Sequence, residues 1–226
     1  MDAINPAADW ETWAVAPTFS FAAAYAHLRE ADHVLGALID QFGPHQPRQR
    51  TDPYAALVRA MLYQQLAAAG ASAIQRRFYG LYGRVDQPPT PQELLATNDE
   101  CLRSAGISRQ KIGYLRDLAL HVMDGRLNFD VLPVQSDEEV IRSLVTVKGI
   151  GEWTAHMFLM FQLGRPDVLP TGDLGVRRGM QWAYHLPGLP DLEETRAIGA
   201  PWAPYRSVGS LYMWRVAEAQ QPSGAS

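Results

Sequence analysis

A disulfide, a transition-metal centre and a membrane span all lack support in this chain. Cys101 is the only cysteine among 226 residues, which excludes an intramolecular disulfide and a cluster held by four thiolates. Beside Leu102 in a helical context, it reads as a reduced packing residue. The histidines, His27, His33, His45, His121, His156 and His185, are scattered, with no His-Glu-x-x-His and no His/Cys grouping to hold a metal. No apolar stretch reaches the ~18 residues that a membrane helix needs, and the first residues lack the basic-then-apolar order of a secretory leader. Neither secretion nor membrane spanning is expected. Positive charge is also short, with 20 Lys and Arg against 24 Asp and Glu for a net charge of −4. A polyanionic partner would therefore be held by a local basic face or by backbone N–H donors, not by bulk charge.

Hydrophobic residues make up 47% of the chain, enough to bury a full core in one or two lobes. Helical spacing dominates and strand alternation is nearly absent. Asp52 precedes Pro53 and a stripe of Tyr54, Leu57, Val58, Met61 and Leu62, which predicts a helix with proline at its first position. Thr90 with Glu93, Ser136 with Glu139 and Asp191 with Glu194 have the spacing of capping boxes. Residues 109–124 carry Ile112, Leu115, Leu118, Ala119 and Val122 on one face and stop at Gly125. Residues 1–17, with Trp10 and Trp13, suit a short strand or an extended arm, and the QQPSGAS tail suits disorder. The runs Gly43–Pro53 and Gly83–Pro91 read as loops, not as linkers between independent domains.

The most informative stretch is LVTVKGIGEWTAH, residues 144–156, followed by LPTGDLGVRR, residues 169–178. Val140, Ile141, Leu144 and Val145 bring a helix into a turn where Gly149 and Gly151 flank Ile150. Glycine at both places allows positive φ and a close backbone approach, while Ile150 plugs into the core. A second helix is expected from Glu152, with Trp153, Met157, Phe158 and Phe161 on one face, closing at Gly164. Its N-terminal N–H groups would make an anion site. An ordinary helical hairpin with a glycine-rich turn reads the same way. Asp173 stands where a helix N-cap belongs, ahead of Val176 and Met180, and the helix dipole favours an anion there. Most N-cap aspartates are purely structural.

Together these residues resemble the helix-hairpin-helix DNA glycosylases, and within them the DNA-3-methyladenine glycosylase II, or alkylpurine, branch. PYAALVRAMLYQQLA (Pro53 to Ala67) is similar to the family's helix ending in a glutamine-rich turn that meets DNA. LRSAGISRQKIGYLRDLA (Leu102 to Ala119) and WAPYRSVGSLYMWR (Trp202 to Arg215) match two further segments. The likeness runs from about Ala22 to Arg215. It departs from the bifunctional members at Trp153, which stands where they carry a Schiff-base lysine, so strand cleavage is not expected. Lys148 lies on the other side of the turn.

The resemblance implies a mainly all-α, two-lobed fold without a full N-terminal β-domain. Its lobes would be residues 53–164, holding the hairpin over 136–164, and residues 165–226 packed with an arm and helix from 1–52, with a cleft between the lobes. It implies that Asp173 is the catalytic carboxylate. It further implies a base pocket from Trp153, Trp214 and Tyr63, with Met157 and Leu174 where relatives have aromatics. Trp153 and Trp214 could equally fill the core. Gln65, or else Leu66, would be the wedge that fills the vacated stack. The DNA backbone would meet Lys148, Gly149, Ile150, Gly151 and Thr154, with Arg109 and Lys111, and with Arg177, Arg178 and Arg206 as further cations. Backbone carbonyls of Val145, Lys148 and Ile150 could bind a sodium or potassium ion; no other cofactor and no iron–sulfur cluster is implied. The expected partner is double-stranded DNA with damaged bases, met by a monomer in the cytoplasm with its nucleoid, or in a nucleus. Removal of alkylated bases is the leading reading. Excision of deaminated or oxidised bases on the same scaffold, and a non-catalytic DNA-binding module, are the alternatives.

Overall fold

A computed structural model of the chain describes residues 19–44 and 52–220. The expected arm over 1–17, residues 45–51 of the expected Gly43–Pro53 loop, and the tail beyond Gln220 lie outside the described residues. Among the described residues every regular element is helical, as the periodicity predicts. In chain order these are α1 (Phe21–Ala31), α2 (His33–Phe42), α3 (Pro53–Tyr63), α4 (Ala68–Gly80), α5 (Pro91–Ala96), α6 (Asp99–Ser104), α7 (Arg109–Met123), α8 (Asp137–Val145), α9 (Glu152–Met157), α10 (Leu174–Ala183), α11 (Leu192–Gly199) and α12 (Arg206–Ala219). Short 3-10 turns cover Leu132–Val134 and Ala200–Trp202. The chain divides into two compact units between Phe158 and Leu159, ahead of the boundary expected at Gly164.

The first unit holds α3 to α9. Its helices start where their caps stand. Asp52 accepts the Ala55 N–H at 2.9 Å, and the Thr90/Glu93 and Ser136/Glu139 boxes are both closed in each direction. Leu57, Val58, Met61 and Leu62 of α3 are buried with Phe78 and Tyr79 of α4, Leu115 and Leu118 of α7, and Leu144 of α8. Each such side chain contributes roughly 1.5–3 kcal/mol of apolar transfer.

One expectation is corrected at the end of this unit. The helix that starts at Glu152 does not continue unbroken to Gly164. α9 stops at Met157, and Phe158–Gln162 form a turn of π-helix. An amphipathic α-helix keeps one face in water, yet Phe158, Leu159, Met160 and Phe161 are all at most 1% exposed. The segment is thus buried all round, and a one-sided stripe does not describe it.

The second unit holds α1, α2 and α10 to α12. α10 and α12 are in direct backbone contact. A Cβ placed on Gly179 would lie 2.0 Å from the Met213 carbonyl oxygen. Asp32, a buried carboxylate with no counterpart in the sequence reading, anchors the other side. Its Oδ1 accepts the Val34 and Leu35 amides at 2.9 and 3.2 Å. Its Oδ2 accepts Trp202 Nε1–H at 2.8 Å and the Tyr184 hydroxyl. Burial, and then that bond to Asp32, push the Tyr184 phenol far above its ordinary range. With four donors on two oxygens, the burial of Asp32 is compensated.

Candidate nucleic-acid interface and carboxylate site

Asp173 caps α10 as its sequence context predicts. Its Oδ1 accepts the Val176 N–H at 2.8 Å and Trp214 Nε1–H at 2.8 Å, and the residue is 5% exposed. The ring of Trp214 stacks on Phe161 with 5.9 Å between centroids and 28° between planes. Gly175 leaves room for this arrangement, because a Cβ there would lie 2.7 Å from Trp214 Cδ1 and 3.1 Å from Asp173 Oδ1. The carboxylate is thus positioned from two directions, by a helix N-terminus and by an indole N–H that a core ring holds still.

The hairpin joins α8 to α9. Val147 donates to Leu144 O at 3.1 Å, and Ile150 donates to Val147 O at 3.0 Å while its side chain is 5% exposed. Gly149 has φ 86°, and a Cβ on it would fall 2.4 Å from the Tyr114 ring. Glycine is required there on both counts. At Gly151 the expectation of positive φ is corrected. It caps α9 with φ −99° and ψ 174°, ordinary extended backbone. Open space surrounds its absent Cβ, so a ligand oxygen can approach this amide. Among the described residues the amides of Gly149 and Gly151 meet no acceptor within the chain, whereas the Lys148 amide donates to Asp117 Oδ2 at 2.8 Å. Thr154, expected to meet the DNA backbone, is 4% exposed.

The turn after α3 has Gln65 exposed at φ 58°, a region that side-chain-bearing residues seldom occupy, and Leu66 half-buried next to it. Lys111, expected as a cation for the DNA backbone, is spent inside the unit. Its ammonium donates to the carbonyls of Leu62 and of Gln64, the latter at 2.8 Å, and burial lowers its pKa. A cation at a helix C-terminus satisfies carbonyls that have no partner in the helix, which is a stronger demand than solvent makes. Other expected cations are engaged too. Arg206 forms a two-point pair with Asp167 at 2.7 and 2.8 Å, and Arg177 donates to Pro190 O at 2.7 Å. Arg109, Lys148 and Arg178 are exposed.

The model of the HhH-GPD superfamily of base excision DNA repair proteins matches residues 58–204. The chain belongs to that superfamily. It is similar to DNA-3-methyladenine glycosylase 1 of Schizosaccharomyces pombe, 33% identical over 187 residues that cover 80% of this chain and 79% of that protein. Among solved structures it is similar to a DNA-3-methyladenine glycosidase from Bacillus halodurans, with 40% identity, a TM-score of 0.76, and coverage of 84% of this chain and 87% of that one. The Schizosaccharomyces pombe 3-methyladenine DNA glycosylase in complex with abasic DNA has 33% identity and a TM-score of 0.77, over 86% and 96% of the two chains.

Within this HhH-GPD chain, the pocket expectations divide. Trp214 is 2% exposed and Met157 0% exposed, so neither offers a face on which a base could stack. Trp214 has its ring against Phe161 and donates its indole N–H to Asp173. Trp153 is half-buried and Leu174 is 39% exposed. Tyr63 is half-buried and has one ring face covered by the Arg59 guanidinium, 3.9 Å from the ring centroid. What sequence reasoning missed is the supporting layer on α7: Tyr114 and Asp117, and the inward role of Lys111 beside them. Their three-residue spacing on α7 was legible, but their partners are distant in the chain.

Proposed function

We propose that this HhH-GPD protein is a monofunctional DNA glycosylase that removes alkylated purines from duplex DNA by hydrolysis of the N-glycosidic bond. The observation that carries this reading is Asp173, a buried carboxylate fixed by the Val176 amide and the Trp214 indole. An N-alkylated purine already bears positive charge, so it departs with little help from a general acid. The harder problem is the sugar, which gains oxocarbenium character as the C1′–N bond breaks. A preorganised anion stabilises that charge at no cost in reorganisation, and it can orient the attacking water. Trp153 stands where the lyase members carry their lysine, so no amine is offered there for a Schiff base.

DNA would be held at the hairpin by the Gly149 and Gly151 amides, with Lys148 and Arg109 as cations. Such backbone donors let a chain of net charge −4 bind a polyanion. Gln65, exposed at the tip of its turn, is the wedge in this reading, replacing the flipped base in the stack. α8 ends at Val145, which leaves the Val145 carbonyl without a helix partner. That oxygen, with those of Lys148 and Ile150, suits a hard monovalent cation, which would neutralise charge beside a bound phosphate. A soluble DNA-associated monomer is the form this reading implies.

The test is base release from duplexes carrying one alkylated purine, one 8-oxoguanine or one hypoxanthine, followed by chromatography. Alkylpurine release at least tenfold faster than the other two is the expected result. Preference for a neutral lesion would move the function to the same reaction on another base, and binding without any release would leave a DNA-binding module.

A further inference from the structure

The wedge turn and the hairpin belong to separate segments of the first unit, yet three residues on one helix touch both. Lys111, Tyr114 and Asp117 recur every third position along α7, so they share a broad face. Lys111 holds the turn through the carbonyls of Leu62 and Gln64. The Tyr114 ring lies where a side chain on Gly149 would be. Asp117 accepts the Lys148 amide at 2.8 Å. A fourth contact closes the loop directly, because Gln64 Nε2 donates to the Gly149 carbonyl at 2.8 Å. The neighbouring Gln65 sits in left-handed backbone, a conformation that persists only where surrounding contacts hold it.

We infer that Gln64 and Lys111 are positioning residues that fix the wedge turn to the hairpin, so that gripping a phosphate and filling the flipped-base gap occur in one rigid register along α7. The inference rests on the glycosylase reading above. Neither residue touches the reacting atoms. Gln64 acts through Gly149 and through the backbone of Gln65, and Lys111 acts through the carbonyls that end α3. Loss of the register leaves the hairpin able to grip undamaged duplex, but the wedge no longer meets the stack where the base leaves it.

Gln64→Glu keeps the shape and removes the donor to Gly149 O. Lys111→Gln shortens and neutralises the other tie, and Lys111→Arg retains a donor as a rescue variant. The readouts are affinity for abasic-site duplex, affinity for undamaged duplex, and fluorescence of a 2-aminopurine placed beside the lesion, which reports unstacking. Gln64→Glu and Lys111→Gln are expected to lose about five- to tenfold in abasic affinity, the worth of about one hydrogen bond. The 2-aminopurine signal should fall in parallel, undamaged-duplex affinity should change less than about twofold, and Lys111→Arg should recover part of the loss. Equal losses on both duplexes would overturn the inference, since the residues would then merely support the hairpin. Unchanged abasic affinity and fluorescence in both variants would overturn it as well. If the unaltered protein itself neither prefers abasic DNA nor raises the fluorescence, the glycosylase reading fails first and the inference falls with it.

Discussion

Asp173→Asn is expected to slow single-turnover excision of an alkylated purine by about 100- to 1000-fold, the range seen when one preorganised electrostatic group is removed from a reaction centre. The thermal midpoint should move by less than about 3 °C. The two effects separate because asparagine is as good an N-cap as aspartate. Its carboxamide oxygen can still accept the Val176 amide and the Trp214 indole, both now met by Oδ1 at 2.8 Å. What is lost is the negative charge. Trp214→Phe makes the converse change, keeping the stack on Phe161 and the charge while removing the indole donor. A drop of about tenfold is expected there, with affinity for undamaged DNA unaltered. Stopped reactions with enzyme in excess, analysed for released base, measure both. Near-unaltered excision by Asp173→Asn would remove the carboxylate from the mechanism.

The second large effect concerns stability of the helix that carries Asp173. Gly179→Ala is expected to destabilise the protein by about 3 kcal/mol or more, lowering Tm by about 10 °C. The added Cβ would lie 2.0 Å from the Met213 carbonyl oxygen and 2.5 Å from its carbon. Both belong to the backbone of α12, which cannot rotate away as a side chain would. Alanine's better helix propensity, about 1 kcal/mol, offsets only part of that. Gly113→Ala is the internal control. That glycine is exposed within α7 with nothing near its missing Cβ, so the same substitution should stabilise by about 0.5–1 kcal/mol. Thermal unfolding of the two variants should therefore move in opposite directions. A Gly179→Ala protein as stable as the unaltered chain would mean that α10 and α12 can part at little cost.

Local signals were well legible in the sequence. Asp52 with Pro53, the Thr90/Glu93, Ser136/Glu139 and Asp191/Glu194 boxes, and Asp173 all cap helices where their spacing placed them, because a cap is decided within four residues. The burial of Ile150 between two glycines was legible for the same reason. What escaped depends on residues far apart in the chain. Lys111 looks like any exposed cation until the end of α3 is brought to it, and Arg206 until Asp167 is. Trp214 reads by resemblance as a wall for a base, but its N–H reaches a carboxylate 41 positions away and its ring is buried against Phe161, contacts that only the fold supplies. Asp32 carries the same kind of N-cap signature as Asp173 and also accepts an indole N–H. Its second oxygen is shared with the Tyr184 hydroxyl, a network that only the fold reveals. Phe158–Gln162 are buried on every side, which a one-sided periodicity cannot express, and no local signal marks their π-helical turn.

The central claim, base excision without strand cleavage, is tested most directly by the unaltered protein acting in single turnover on an end-labelled duplex with one alkylated purine. Half of each sample is heated in alkali and half is kept neutral. The account predicts released base in both halves and a broken strand only after alkali, the mark of an intact abasic product. Strand breakage in the neutral half, trapped by borohydride as a protein–DNA adduct, would contradict it and show that an amine elsewhere in the chain performs lyase chemistry.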